Sequence, residues 1–207
     1  MDHIMTSPAA VNPQPVGTWA QLKAATKPVH ERLDTRIMQA RPFDSLDRYG
    51  QFLLVQHDFH VRVSPLYQRD DLAQILPDLK ARDRLPRIEQ DLADLKIHIP
   101  DPTSPIPASD LPIPDALGWL YVAEGSNLGA AFLLKAAQKL GLSQDFGARH
   151  LAAATEGRGL HWKTFTTALD AIVLGHDKQT QLINGAERAF DTVRNAVEAR
   201  FSALIGA

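Results

Sequence analysis

Apolar residues recur at helical spacing along almost the whole chain, and this pattern constrains the fold more than any other feature. No stretch alternates β-branched and polar residues as a half-buried strand would, and no segment repeats. A chain of 207 residues is long enough to bury one substantial core. We therefore predict an all-α fold, a single-domain helical bundle.

The helix signals divide the chain as follows. Thr18 is the predicted N-cap of a first helix, which Pro28 should bend or break near Ala24. Ser45 should cap a long second helix. Further helices are expected over 72–76, 79–95, 116–140, 159–174 and 183–205.

Two segments read as irregular. Residues 1–17 are rich in Pro, Ala and small polar residues and are predicted to be a flexible tail, with the helical domain covering 18–207. Residues 100–115 carry so many prolines that we expect an extended connector within that domain. The first residues lack a basic start and an apolar core, so we do not expect a signal peptide.

Composition excludes several classes. The chain has no cysteine, which rules out disulfides and thiolate metal sites. A formal net charge of -2 gives no indication of nucleic-acid or membrane-surface binding, and no apolar run reaches the roughly 20 residues of a membrane span. We expect a cytoplasmic protein that binds neither nucleic acid nor membrane and that is a monomer.

Gly125 and Gly129 lie one turn apart inside the apolar helix "YVAEGSNLGAAFLL". Each interior glycine costs a helix about 1 kcal/mol relative to alanine, so two on one face require a reason. One explanation is close packing against another helix. The other is a flat, rigid ligand lying against bare backbone, and the spacing alone leaves both open.

His30 and Lys23 share a face of the first predicted helix, since they are seven residues apart. At 1.5 Å per residue their separation along the axis is about 10 Å. That distance is similar to the one between a haem iron and its propionates, so a histidine on iron with a lysine at the carboxylates is a plausible haem clamp. A lone helical histidine is more often a surface residue than a ligand.

Several stretches together resemble the heme oxygenase family, particularly the bacterial, Gram-negative, biliverdin-producing branch. They are "LKAATKPVHERLD", "RPFDSLDRYGQFLLVQHDFH", "GWLYVAEGSNLGAAFLLKAAQKL", "FGARHLA" and "GRGLHWKTF", which lie within residues 19–170. The resemblance implies a helical bundle with haem sandwiched between a proximal and a distal helix.

The resemblance also implies roles for individual residues. His30 matches the proximal iron ligand, Lys23 a propionate contact and Tyr121 an aromatic beside the haem. Gly125, Ser126 and Gly129 match the distal helix over the haem. The positions that match a distal water network or its surroundings are Gln56, His60, Arg84, Asn127, His150 and Trp162.

Three positions depart from the family pattern. Ser126 stands where the mammalian branch has an acidic residue, so the distal water must be organised by groups such as Asn127, Arg84 and His60. Pro28 is unusual before the proximal histidine, and Val193 lies where an aromatic is expected near the haem edge. Lys23 favours cleavage at the α-bridge.

The implied activity is O2- and electron-dependent cleavage of haem at a meso carbon. Haem would be both cofactor and substrate, and the products would be biliverdin, CO and Fe²⁺, serving iron acquisition or bilin supply. The chain has no dinucleotide or flavin motif, so electrons should come from an external NAD(P)H-dependent reductase or a ferredoxin.

Other functions remain open at this stage. A haem-binding or transfer protein could use the same scaffold without turnover. A thiamin-degrading hydrolase of similar architecture would need a nucleophilic cysteine, which is absent. A di-iron bundle needs Glu-x-x-His pairs, and no glutamate here has a histidine three residues on. His57 and His60 could chelate a metal, but no carboxylate partner is evident.

Overall fold

The computed structural model describes residues 17–76, 78–100 and 110–205, and within them the chain forms α-helices, short 3₁₀ turns and no strand. The predicted all-α fold is confirmed. The helices are α1 (Thr18–Gln39), α2 (Leu46–Val63), α3 (Asp70–Ala73), α4 (Leu85–Asp94), α5 (Ile113–Gln138), α6 (Arg158–Asp170) and α7 (His176–Ile205). The 3₁₀ turns are Ser64–Gln68, Leu79–Arg82 and Arg149–Leu151.

The start of α2 is as predicted and the start of α1 is not. The Ser45 hydroxyl accepts a hydrogen bond from the Arg48 backbone N–H at 3.2 Å, which caps α2. Thr18 is the first residue of α1 rather than its N-cap, because Gly17 occupies the cap position. A residue distant in sequence replaces the missing cap, since Asp170 accepts a 2.7 Å hydrogen bond from the Trp19 N–H.

Helix α1 runs through Pro28, so the predicted break near Ala24 is wrong. Proline removes one backbone donor and normally disfavours a helix interior. Here α1 packs on α7 and α6, and its buried residues include Leu22 before Pro28 and Leu33 after it. Tertiary packing therefore holds the helix together across the missing hydrogen bond.

The predicted connector over 100–115 and the predicted tail over 1–17 lie largely outside the described residues. Helix α5 begins at Ile113, three residues earlier than predicted, with Pro114 in its first turn, where proline is well tolerated. The predicted helix over 79–95 is divided by an extended step at Asp83 into a 3₁₀ turn and α4. That division places Arg84 immediately before α4.

Helices α5 and α7 form the centre of the bundle and cross very closely. A Cβ added to Gly118 would lie 2.5 Å from the Ala186 backbone nitrogen, and one added to Gly185 would lie 2.6 Å from Asp115 Oδ1. These two glycines are thus the ones that close helix packing requires. Gly125 and Gly129 lie further along α5, where the helix leaves this crossing.

Candidate functional site

A cavity of about 640 Å³ lies between α1 and α5 and is closed by parts of α2, α6 and α7. Every residue predicted for the site lines this cavity. They are Lys23, His30, His60, Arg84, Tyr121, Gly125, Ser126, Asn127 and Gly129. The structure therefore brings together residues that are up to 106 positions apart in the sequence (from 23 to 129).

His30 presents its imidazole from α1 with more than half of the side chain exposed. Nδ1 lies 3.2 Å from Asp34 Oδ2, one turn later, and the ring packs edge-on against Phe190 of α7 at a centroid distance of 5.7 Å. Nε2 has no hydrogen-bond partner within the described part of the chain. The ring is thus oriented by two neighbours while one nitrogen stays available to a ligand.

Gly125 and Gly129 of α5 both line the cavity, in different surroundings. A Cβ added to Gly129 would meet no atom within 4 Å, and one added to Gly125 would touch Trp162 at 3.6 Å. Neither glycine lies against the backbone of another helix. Of the two explanations for this pair, close helix packing is contradicted, and bare backbone facing open space agrees with the structure. Ser126 also lines the cavity, but its hydroxyl donates to the Ala123 carbonyl oxygen at 2.7 Å.

A group of buried polar side chains forms one end of the cavity. His60 Nδ1, His150 Nε2 and Asn127 Nδ2 are each buried and have no hydrogen-bond partner among the described residues. Burial, with the nearby charge of Arg84, lowers the pKa of His60 to about 3, so its ring is neutral at ordinary pH. Three unsatisfied polar atoms in one small region indicate a place that suits ordered water or a polar ligand.

Arg84 contributes the positive charge at this end. It lies just before α4 and donates to the carbonyl oxygens of His150 and Ala152. Burial lowers the pKa of Arg84 to about 10, which still leaves it charged at neutral pH. Asp91 in α4 orients His150, because its Oδ2 accepts from the His150 backbone N–H at 2.9 Å and lies 2.8 Å from Nδ1. His150 Nε2 consequently faces the cavity.

Lys23 marks the other end of the cavity. Its Nζ lies over the ring of Trp19 at 5.3 Å from the centroid. Tyr121 of α5 lies opposite α1, with its hydroxyl 3.5 Å from the Thr26 hydroxyl, and burial raises the pKa of Tyr121. From α7, Phe190 supplies the aromatic side chain that was expected at Val193, and both residues line the cavity.

A buried charged cluster around Glu124 of α5 was not predicted from the sequence. Glu124 accepts from the Tyr67 hydroxyl at 2.8 Å and from Arg82 at 2.9 Å, and lies 3.1 Å from His161 Nε2. Burial opposes its ionisation, but His161 and Arg82 hold the pKa of Glu124 below its usual value. The Glu124 hydrogen bond raises the pKa of His161, whose Nδ1 lies 2.6 Å from Glu156. A single glutamate within an apolar helical run was the available signal.

Three members of this cluster are adjacent, or nearly adjacent, in sequence to residues that line the cavity. Glu124 precedes Gly125, His161 precedes Trp162, and Arg82 is two residues before Arg84. The cluster thus connects α5, α6 and the 3₁₀ turn Leu79–Arg82, and it holds the neighbouring cavity-lining residues in place. Among the described residues, no three His, Asp or Glu side chains group closely enough to hold a metal ion by themselves.

An all-α bundle with a ligand-sized cavity between a histidine-bearing helix and a glycine-bearing helix is the architecture that the sequence resemblance implied. A sequence model of the heme oxygenase family matches residues 18–199. The chain belongs to the heme oxygenase family.

Individual relatives agree with this assignment. Heme oxygenase PigA of Pseudomonas aeruginosa is 38% identical over 182 residues, which cover 88% of this chain and 92% of that protein. The NO- and CO-bound heme oxygenase of Neisseria meningitidis superposes with a TM-score of 0.85 at 38% identity, covering 91% of this chain and 94% of that one. The predicted resemblance to the Gram-negative branch is confirmed.

A more distant structure shares the fold alone. Heme oxygenase 2 of Chlamydomonas reinhardtii, without heme, has a TM-score of 0.70 at 17% identity, covering 89% of this chain and 97% of that one. The prediction of an enzyme of the heme oxygenase type, rather than a non-catalytic haem-binding protein, is confirmed by the family and its relatives. Within the described residues no helix is both long and apolar enough to cross a bilayer.

Proposed function

We propose that the cavity between α1 and α5 binds haem and that the protein cleaves this haem at a meso carbon. The observation that carries the proposal is the pairing of an available His30 Nε2 on one wall with the unobstructed backbone of Gly129 on the other. The residues present fit such a ligand, because the cavity is lined by many apolar and aromatic side chains together with a smaller number of polar and charged ones.

Haem bound here would supply O2 binding at its iron and would be the substrate that is converted to biliverdin, CO and Fe²⁺. The electrons would come from an external NAD(P)H-dependent reductase or a ferredoxin. Every remaining part of the proposal concerns what the chain itself contributes.

On the proximal side His30 would bind iron through Nε2. The contact between Nδ1 and Asp34 would fix the tautomer and the ring plane. Lys23 would pair with a haem carboxylate at the opposite end of the same helix face. These two contacts would together set the orientation of the ring in the cavity.

On the distal side Gly125 and Gly129 would let the α5 backbone approach the ring, because neither presents a side chain. His60, Asn127, Arg84 and His150 would hydrogen-bond water and deliver protons from one edge. The neutral His60 cannot act as a strong acid at neutral pH. Proton delivery would therefore pass through water, while the Ser126 hydroxyl stays bonded within its helix.

A single-turnover experiment tests the proposal. One equivalent of haemin is bound to the purified protein, reductant is supplied as ascorbate or as a ferredoxin–reductase pair under air, and the visible spectrum is followed. We expect the Soret band to decay as biliverdin forms, and chromatography of the product identifies the cleaved meso carbon. A haem complex that forms but never yields biliverdin would contradict the proposed reaction.

A further inference from the structure

Trp19 and Lys23 lie one turn apart on the cavity face of α1 and contact each other. Lys23 Nζ is 5.3 Å from the centroid of the Trp19 ring, within the range of a cation–π interaction. Both residues line the cavity, as do Thr26 and His30 further along the same face. The pair thus forms the end of the stripe that carries His30.

Lys23 forms no ion pair with any residue of the described ranges. Lys27, one turn later and also at the cavity, lies 3.7 Å from Glu31. Only the aromatic face of Trp19 holds the Lys23 ammonium, which leaves its hydrogen-bonding protons available to an anion that enters the cavity.

Trp19 is itself firmly placed. Its backbone N–H donates to Asp170 Oδ1 at 2.7 Å, and the adjacent Thr18 hydroxyl donates to the Ile172 carbonyl oxygen at 3.4 Å. Gly17 is so close to Asp170 that an added Cβ would lie 2.9 Å from Oδ1. The half-buried ring also packs against the core. Because the fixed Trp19 ring already restricts the Lys23 side chain, Lys23 loses less conformational freedom when it binds a ligand.

We propose that Trp19 is a positioning residue that holds the Lys23 ammonium at the cavity rim, where it meets a carboxylate of the ligand. Trp19 thereby favours haem with free propionates over haem whose carboxylates are blocked. This inference rests on the proposed function, because it takes haem as the ligand. A cation–π contact at a partly exposed site corresponds to a roughly two- to fivefold change in an equilibrium constant.

Haemin and haemin dimethyl ester are the probes that test this role. Dissociation constants for both are measured by Soret titration for the wild type, W19L, K23M and the double variant. W19L should weaken haemin binding about two- to fivefold and leave ester binding unchanged. In the K23M background the Trp19 substitution should have no further effect.

Two further variants sharpen the result. W19F retains an aromatic face and should keep part of the preference for haemin over the ester. K27M removes a positive charge that already has a partner, and it should keep that preference in full. Far-UV circular dichroism checks that W19L remains folded, and W19F carries the test if it does not.

Several outcomes would overturn the inference. Among them are equal weakening of haemin and ester by W19L, an undiminished W19L effect in the K23M background, and loss of the preference in K27M. The proposed function fails separately, if the wild type binds no haemin or forms no biliverdin. A wild type that does both, with W19L indistinguishable from it, would overturn the role of Trp19 alone.

Discussion

The same substitution, glycine to alanine, should have opposite effects on stability at two positions of α5. Alanine is favoured over glycine in a helix interior by about 1 kcal/mol. An added Cβ at Gly129 meets no atom within 4 Å, so G129A should gain most of that amount. For a chain of this size such a gain raises Tm by about 2–4 °C.

At Gly118 the added Cβ would lie 2.5 Å from the Ala186 backbone nitrogen, inside van der Waals contact. A backbone atom cannot give way unless α7 moves as a whole. Overpacking of a tight interface costs typically about 1–3 kcal/mol and can cost more, which exceeds the helix-propensity gain. We therefore expect G118A to be destabilised, although its change is identical to that in G129A.

The assay has two parts. Urea denaturation of the ligand-free variants gives the stability difference, and haemin titration gives the cost to binding. If the Gly129 backbone faces the ligand, a methyl group there should weaken haemin binding by about 1–3 kcal/mol, which is about thirtyfold at the midpoint. Gly159→Ala, on α6 and away from the cavity, should keep wild-type affinity. A destabilised G129A, or a stabilised one that binds haemin normally, would refute the reasoning.

Three other perturbations have defined outcomes. Glu124→Gln removes a carboxylate that is buried with Arg82, so urea denaturation should show a decrease of about 3–5 kcal/mol in the free energy of unfolding. An unchanged free energy of unfolding would show that the cluster does not stabilise the fold. The free energy of unfolding should fall as pH decreases from about 6.5 toward 3, because in this range His60 binds a proton in the unfolded chain and not in the folded one. His60→Gln should reduce the dependence of this free energy on pH. An unchanged dependence in the variant would contradict the low pKa of His60. Asp34→Asn removes the carboxylate that contacts His30 Nδ1 and should raise the iron reduction potential, measured by spectroelectrochemistry, because the imidazole then donates less charge to the iron. An unchanged potential would exclude coupling between Asp34 and the iron.

Helical periodicity was sufficient for the fold, because the apolar face of each long helix is what packs into the core. It failed where an interaction distant in sequence replaces a local one. Asp170 caps α1 in place of Thr18, and packing on α7 carries α1 through Pro28. No local pattern around residues 18–28 contains that information.

The cavity-lining residues were predicted through family resemblance, since spacing alone left the glycine pair ambiguous. The structure separates Gly118, which the α7 crossing requires, from Gly129, which faces open space. The cluster around Glu124 was missed because its partners come from three separate segments. A charged residue within an apolar run indicates only that some partner exists. The contact between Trp19 and Lys23 likewise became evident only in the structure.

The central claim is that His30 binds the iron of a haem held between α1 and α5. The most direct measurement is the electron paramagnetic resonance spectrum of the ferric haem complex for the wild type and for His30→Ala, each with and without added imidazole. We predict a histidine-ligated signal that is lost in the variant and restored by imidazole occupying the vacated space. A variant whose spectrum matches the wild type would contradict the claim, because another side chain would then be the iron ligand.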